Sequence, residues 1–140
     1  MKHSISTLAI ATLVAIASLT QAHAQNLAVR VNVPFAFNYG SEHFDAGTYT
    51  ISPQGADFVA LSDNAHPSPR MAVIESRTNS GSPNAPATVT FRRYGDNYFL
   101  AEYSTSGETI TLLESNKERS LAREYALNQT EPRFVQLAAK

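Results

Sequence analysis

Leu27, Val29, Val31, Val33, Phe35, Phe37 and Tyr39 fall at every second position, the period at which side chains emerge on one face of an extended chain. The stripe predicts half-buried β-strand. It is long for a single strand, however, and it holds Pro34, which has no amide hydrogen to give to a ladder. Two consecutive strands, about 28–33 and 35–39, bent at Pro34 and sharing an inward face, are therefore expected. Gly40-Ser41-Glu42 and Asp45-Ala46-Gly47 punctuate the following turn, after which Thr48 to Ser52 alternates again with Tyr49 and Ile51 inward, until Pro53-Gln54-Gly55 ends the run.

Phe58 to Leu61 and Met71 to Ile74 are short continuous apolar runs, the pattern of strands buried on both faces. The segment from Thr78 to Pro86 is crowded with turn formers and predicts an exposed loop. The clearest hairpin follows: Thr88 to Tyr94 and Asn97 to Tyr103 alternate on either side of Gly95-Asp96, a pair that suits a tight turn because glycine accepts positive φ. A further turn at Ser106-Gly107 leads to a last strand from Thr109 to Leu113. Ser115-Asn116-Lys117-Glu118 reads as a capping box, in which the serine oxygen takes the Glu118 amide and the glutamate carboxylate reaches back. It opens a helix near 115–127 whose apolar stripe, Leu121, Ala122, Tyr125 and Ala126, is thin enough to lie on a sheet surface or close one end. For Phe134 to Leu137 the pattern leaves an edge strand and a frayed tail both open. These elements predict an all-β fold, an antiparallel sandwich or small barrel of about 7–8 short strands with one C-terminal helix.

The first residues change the setting of this fold. Met1-Lys2-His3-Ser4, the apolar stretch Ile5 to Leu19 and Ala22-His23-Ala24 have the form of a basic n-region, an h-region and an Ala-x-Ala cleavage site. The h-region is shorter than the roughly 20 residues a bilayer-spanning helix needs. Residues 1–24 are thus expected to be a cleaved signal peptide, leaving 25–140 as a single β-rich, soluble domain in the periplasm or outside the cell, without a membrane span. Cysteine is absent, so stability must come from packing, and no lipid-modified cysteine can stand at the cleavage site. The whole chain has 11 Lys and Arg against 12 Asp and Glu; loss of Lys2 leaves a slightly acidic domain, which gives no reason to expect nucleic acid as a partner.

Candidate chemistry is sparse. Removal of His3 and His23 leaves His43 and His66; Glu42, His43 and Asp45 stand close together, but in a turn where polar residues are expected, and without a cysteine they fall short of the usual four-ligand structural metal site. There is no Gly-x-Ser-x-Gly elbow, and Ser80-Gly81-Ser82 lies in the predicted loop. Glu75 and Glu102, each within or at the end of a strand, are a pair of carboxylates whose separation a sequence cannot give. Asn128-Gln129-Thr130 matches a glycosylation sequon, a pattern too short to persuade. Arg92, Arg93, Tyr94, Tyr98 and Tyr103 form a basic and aromatic cluster around the hairpin, able to stack sugars or hold anions; the same residues also serve a hairpin as cross-strand aromatic pairs and arginine stems over apolar surface. No residue is assigned to catalysis, to a metal or to a cofactor.

Val31-Asn32-Val33-Pro34-Phe35, Ala46-Gly47-Thr48-Tyr49, Phe91 to Asp96 leading into Tyr98-Phe99-Leu100, and Lys117-Glu118-Arg119 with Leu121-Ala122-Arg123 together resemble an uncharacterised family of small exported β-rich proteins common in acidobacteria. That family often has a proline before the Ala-Gly-Thr-Tyr turn, where this chain has Asp45. The resemblance implies an exported β-rich domain and carries over no catalytic residue. The expected function is a non-enzymatic exported domain that binds a protein, glycan or small-molecule partner, or a surface. A small-molecule carrier with an aromatic-lined barrel pocket is the alternative, and a hydrolase of unrecognised type the third.

Overall fold

The structure, a computed structural model, describes residues 28–66, 68–79 and 82–140. The expected signal peptide, 1–24, lies outside the described residues, as do Ser80 and Gly81 of the predicted loop. The strands are β1 (Val29–Val33), β2 (Phe37–Tyr39), β3 (Glu42–Phe44), β4 (Gly47–Gln54), β5 (Phe58–Asp63), β6 (Arg70–Asn79), β7 (Thr88–Tyr94), β8 (Asn97–Thr105), β9 (Glu108–Leu112) and β10 (Arg133–Ala138), with one helix, α1 (Asn116–Leu127), before β10. The fold is all-β with one helix near the C-terminal end, as the alternation predicts. It has more strands than expected, because the turn after Tyr39 contains β3 and the tail forms β10. Among the described residues no helix is long and apolar enough to cross a membrane.

Neighbouring strands run β1-β4-β5-β6-β9-β8, and β8 then divides. One side of β8 carries β7 and then β10, while its other side carries β9 and, at a single parallel pair Asn38↔Phe99, β2 with β3. The sheet is therefore mixed, and it is not closed by a continuous ladder. Its two ends meet where Val31 bridges Ala139 and Arg30 and Lys140 exchange backbone hydrogen bonds of 2.7 and 2.9 Å.

Pro34 separates β1 from β2 as the missing amide requires, although β2 starts only at Phe37, so Phe35 and Ala36 belong to the link. The shared inward face survives the break: Val29, Val31, Val33, Phe37 and Tyr39 are all in the core. They meet Tyr49 and Ile51 of β4, Val59 and Leu61 of β5, Val89 and Phe91 of β7, Leu100 and Tyr103 of β8, and Ile110 and Leu112 of β9. Phe37 is at the centre of the aromatic part, 5.3 Å from Phe44 in a stack and 5.1 and 5.3 Å from Tyr49 and Phe91 edge to face. These rings pack against one another in the core.

The odd spacing of Leu100 and Tyr103 on one face is resolved by a bulge. Thr90 pairs Glu102 and Phe91 pairs Leu100, leaving Ala101 as the extra residue that resets the alternation. A second irregularity leaves Glu75 unpaired between Ile74↔Leu112 and Ser76↔Thr111. Beyond it, Thr78 and Asn79 pair with Thr109 and Glu108, so β6 runs into what the turn-forming composition predicts as loop.

Burial on both faces, expected for 58–61 and 71–74, holds for Val59, Ala60 and Leu61 but not for Phe58 or for the second run. Phe58, Met71 and Val73 are 44–49% exposed. α1 covers a different part of the sheet, over β7, where Tyr94 packs edge to face on Tyr125 at 5.3 Å and on Phe99 at 5.9 Å.

Candidate functional site

The five residues of the hairpin cluster do not make one surface. Side chains alternate along β7, with Val89 and Phe91 inward, so Arg92 and Tyr94 face outward and Arg93 lies on the inner row near the hairpin end. Tyr94 is buried beneath α1 and Tyr103 is in the core. Arg92 is held under the helix, with Nε donating to Glu118 Oε1 at 2.6 Å and Nη1 3.2 Å from Glu114 Oε1. Only Arg93 and Tyr98 remain together at the surface, the guanidinium carbon 5.1 Å from the ring centre. Tyr98 in turn stacks on Phe35 at 4.1 Å.

The Arg92–Glu118 pair explains a departure from the predicted capping box. Ser115 caps α1 as expected, its hydroxyl accepting from the Glu118 amide at 3.2 Å. The Glu118 carboxylate does not return to the Ser115 amide but turns down to Arg92, since at 2% exposure a carboxylate needs a charged partner more than the cap needs a second bond. Burial raises the carboxyl's pKa, and the Arg92 charge opposes that rise. Arg92 Nη2 is buried without a hydrogen-bond partner among the described residues.

Both histidines of the predicted mature domain lie at another place, around a cleft of about 540 Å³ between the β3–β4 turn and the loop from β5 to β6. Glu42, His43 and Asp45 line one wall and Asp63, His66 and Arg70 the other. Arg70 Nε is 3.1 Å from Glu42 Oε2 across the cleft. The His66 ring and backbone amide both engage Asp63, at 3.0 and 2.5 Å, and the hydrogen bond from the ring holds the Asp63 carboxyl below its usual pKa. The His43 ring is 3.4 Å from Asn38 Oδ1, which also accepts from Lys117 Nζ at 3.1 Å, while Asn38 Nδ2 donates to the Tyr98 carbonyl at 3.1 Å. Tyr49 closes the floor, its hydroxyl donating to the Asp45 carbonyl at 2.6 Å.

Glu42, His43 and Asp45 do share a wall, but no group of three or more His, Asp or Glu among the described residues is arranged to hold a metal ion. Nor does a serine hydroxyl bond either histidine ring among the described residues. Glu75 and Glu102 are on β6 and β8, with β9 between them. Sequence reasoning missed Asp63 and Arg70 as cleft residues. The Asp-Asn-Ala-His turn was a local signal for the first, whereas Arg70 reaches the cleft only through strand pairing. Comparison of the chain with protein-family models, curated proteins and solved structures gives no match, and the acidobacterial resemblance therefore rests on its motifs alone.

Proposed function

We propose that this chain is an exported, non-enzymatic domain that binds a partner in the periplasm or outside the cell, and that the cleft between β3–β4 and β5–β6 is where it does so. The observation that carries the reading is the cleft itself, where ionisable side chains from separate loops are gathered on the ends of a rigid sheet, the usual place for recognition. Two features favour binding over turnover: the His66 ring is held by Asp63 and the His43 ring by Asn38, and neither ring is hydrogen-bonded to a serine or threonine hydroxyl among the described residues. The carrier reading has less support, because the aromatic residues it requires are packed against each other.

Native mass spectrometry of protein purified from its own host tests this, with wild type compared to a D63N/R70Q variant. A molecule retained one to one by wild type and lost from the variant is the expected result. Equal retention by the variant overturns the cleft as the site, and product release from a panel of ester, glycoside and peptide substrates overturns the non-enzymatic reading. The mass of the exported chain should begin at Gln25; an intact Met1 overturns cleavage.

A further inference from the structure

The pairing of β10 with β7 sets Arg133 directly opposite Arg93. Cross-strand partners project on the same face, and like charges placed so are destabilising unless something neutralises them. Arg93 uses its Nε on the Gly95 carbonyl at 2.6 Å, and its nearest carboxylate, Asp96 at 3.7 Å, is fully exposed. Arg133 has no ion-pair partner among the described residues. The two arginines line a hollow of about 230 Å³ together with Gly95, Tyr125, Thr130 and Glu131. Gly95 suits its place by its φ of +60°, and a Cβ there would come 2.9 Å from the Tyr125 hydroxyl. Two guanidinium groups thus outweigh the single Glu131 carboxylate, with the Tyr125 hydroxyl beside them as a hydrogen-bond donor, while the Thr130 hydroxyl donates to the Asn128 carbonyl at 3.3 Å.

Thr130 and Glu131 also line a second groove of about 470 Å³, whose other walls are Tyr94, Ala122, Ala126 and Pro132, with Gln129 as their one further polar side chain. Shared lining makes the two spaces neighbours, one cationic and one apolar. Leu127 and Phe134, 86% and 67% exposed, are near the two ends of the link that forms the common wall. We propose that hollow and groove are one site for a free amphiphilic oxyanion, its phosphate or carboxylate head between Arg93 and Arg133 and its apolar body along α1 over Tyr94. The groove volume is within the range of about 300–1,000 Å³ usual for small-molecule sites, and Arg forks match oxyanions in geometry as well as charge. This site lies apart from the cleft assigned to partner binding and does not depend on that reading.

Isothermal titration with dodecyl phosphate and dodecanoate below their micelle concentrations tests the proposal, with dodecyl maltoside and inorganic phosphate as half-ligand controls. One-to-one binding of at least one of the two anions, with both controls weaker, is expected. R133Q should weaken it by about tenfold or more, the loss of a charge-assisted contact, and R133K, which keeps the charge but not the fork, should weaken it less than R133Q. A126E, at an exposed helix position, should block the groove while leaving the circular dichroism spectrum unchanged. Binding that is indifferent to R133Q, or equal binding of the neutral maltoside, overturns the proposal. So does binding to phosphatidylglycerol vesicles without binding to the monomeric amphiphiles, which would assign the face to a bilayer instead.

Discussion

Two buried tyrosines show how one hydroxyl can be worth opposite amounts. Tyr39 donates to the Val59 carbonyl at 2.5 Å, whereas the Tyr103 hydroxyl is buried without a partner among the described residues. Burial pushes the Tyr103 hydroxyl up to about 12 and raises that of Tyr39 as well. Y39F should therefore cost about 1 kcal/mol, because it strands a buried acceptor, while Y103F should be neutral or stabilising by up to about 1 kcal/mol. Urea midpoints of the two variants check the contrast, and equal losses would contradict it. Glu118 makes a second residue-scale prediction. Its carboxyl is raised by burial in the folded state, so the folded chain takes up a proton more readily than the unfolded one. The resulting stability is present below the ordinary glutamate value and is lost as pH rises through the folded one. E118Q should therefore flatten the decline of stability above the ordinary glutamate pKa of 4.5, and a difference between wild type and variant that stays constant from pH 4 to 8 would exclude this.

Among the elements, α1 is attached most lightly. It buries only Glu118 fully, and its main apolar contact is Tyr125 on Tyr94. Its amides should exchange with solvent faster than those of β7 and β8, and S115A should cost about 1 kcal/mol by removing the cap. Hydrogen exchange followed by mass spectrometry would settle both, with equal protection of α1 and β7 counting against the first. The helix and the β7–β8 hairpin were legible because capping and tight turns are local: Ser115 is three residues from Glu118, and Gly95, at φ +60°, turns the chain within two residues. Strands were legible wherever one face is inward, as in Val29, Val31 and Val33. What was not legible depends on which element lies over which. Phe58, Met71 and Val73 read as doubly buried because their apolar run contains no sign that the helix covers β7 instead. The hairpin cluster failed as a surface for a related reason. Arg92 and Arg93 are neighbours in sequence, but alternation sends them to opposite faces, and the true neighbour of Arg93 is Arg133, forty positions away and fixed only by the register of β10.

At the scale of the whole molecule, every strand except β10 contributes at least one buried apolar side chain to a single core, and β10 adds Val135 and Leu137 at its margin. Nothing divides that core, so loss of any one strand should release the rest. Tyrosine fluorescence, available because the chain has no tryptophan, and far-ultraviolet circular dichroism should report one coincident unfolding transition. Two separated transitions would show that the β2–β3 branch or the β10 edge melts independently. The meeting of Arg30 with Lys140 bears on how such a chain is made. A polypeptide emerging amino end first presents β1 early, but its partner at residues 139–140 arrives only after all the other strands. Until then β7 lacks β10, and the edge that should face Val31 is empty. A nascent chain of this design is held back from its finished shape by its own order of synthesis, and its first strand waits on its last residues for the bridge that joins the two ends of the sheet.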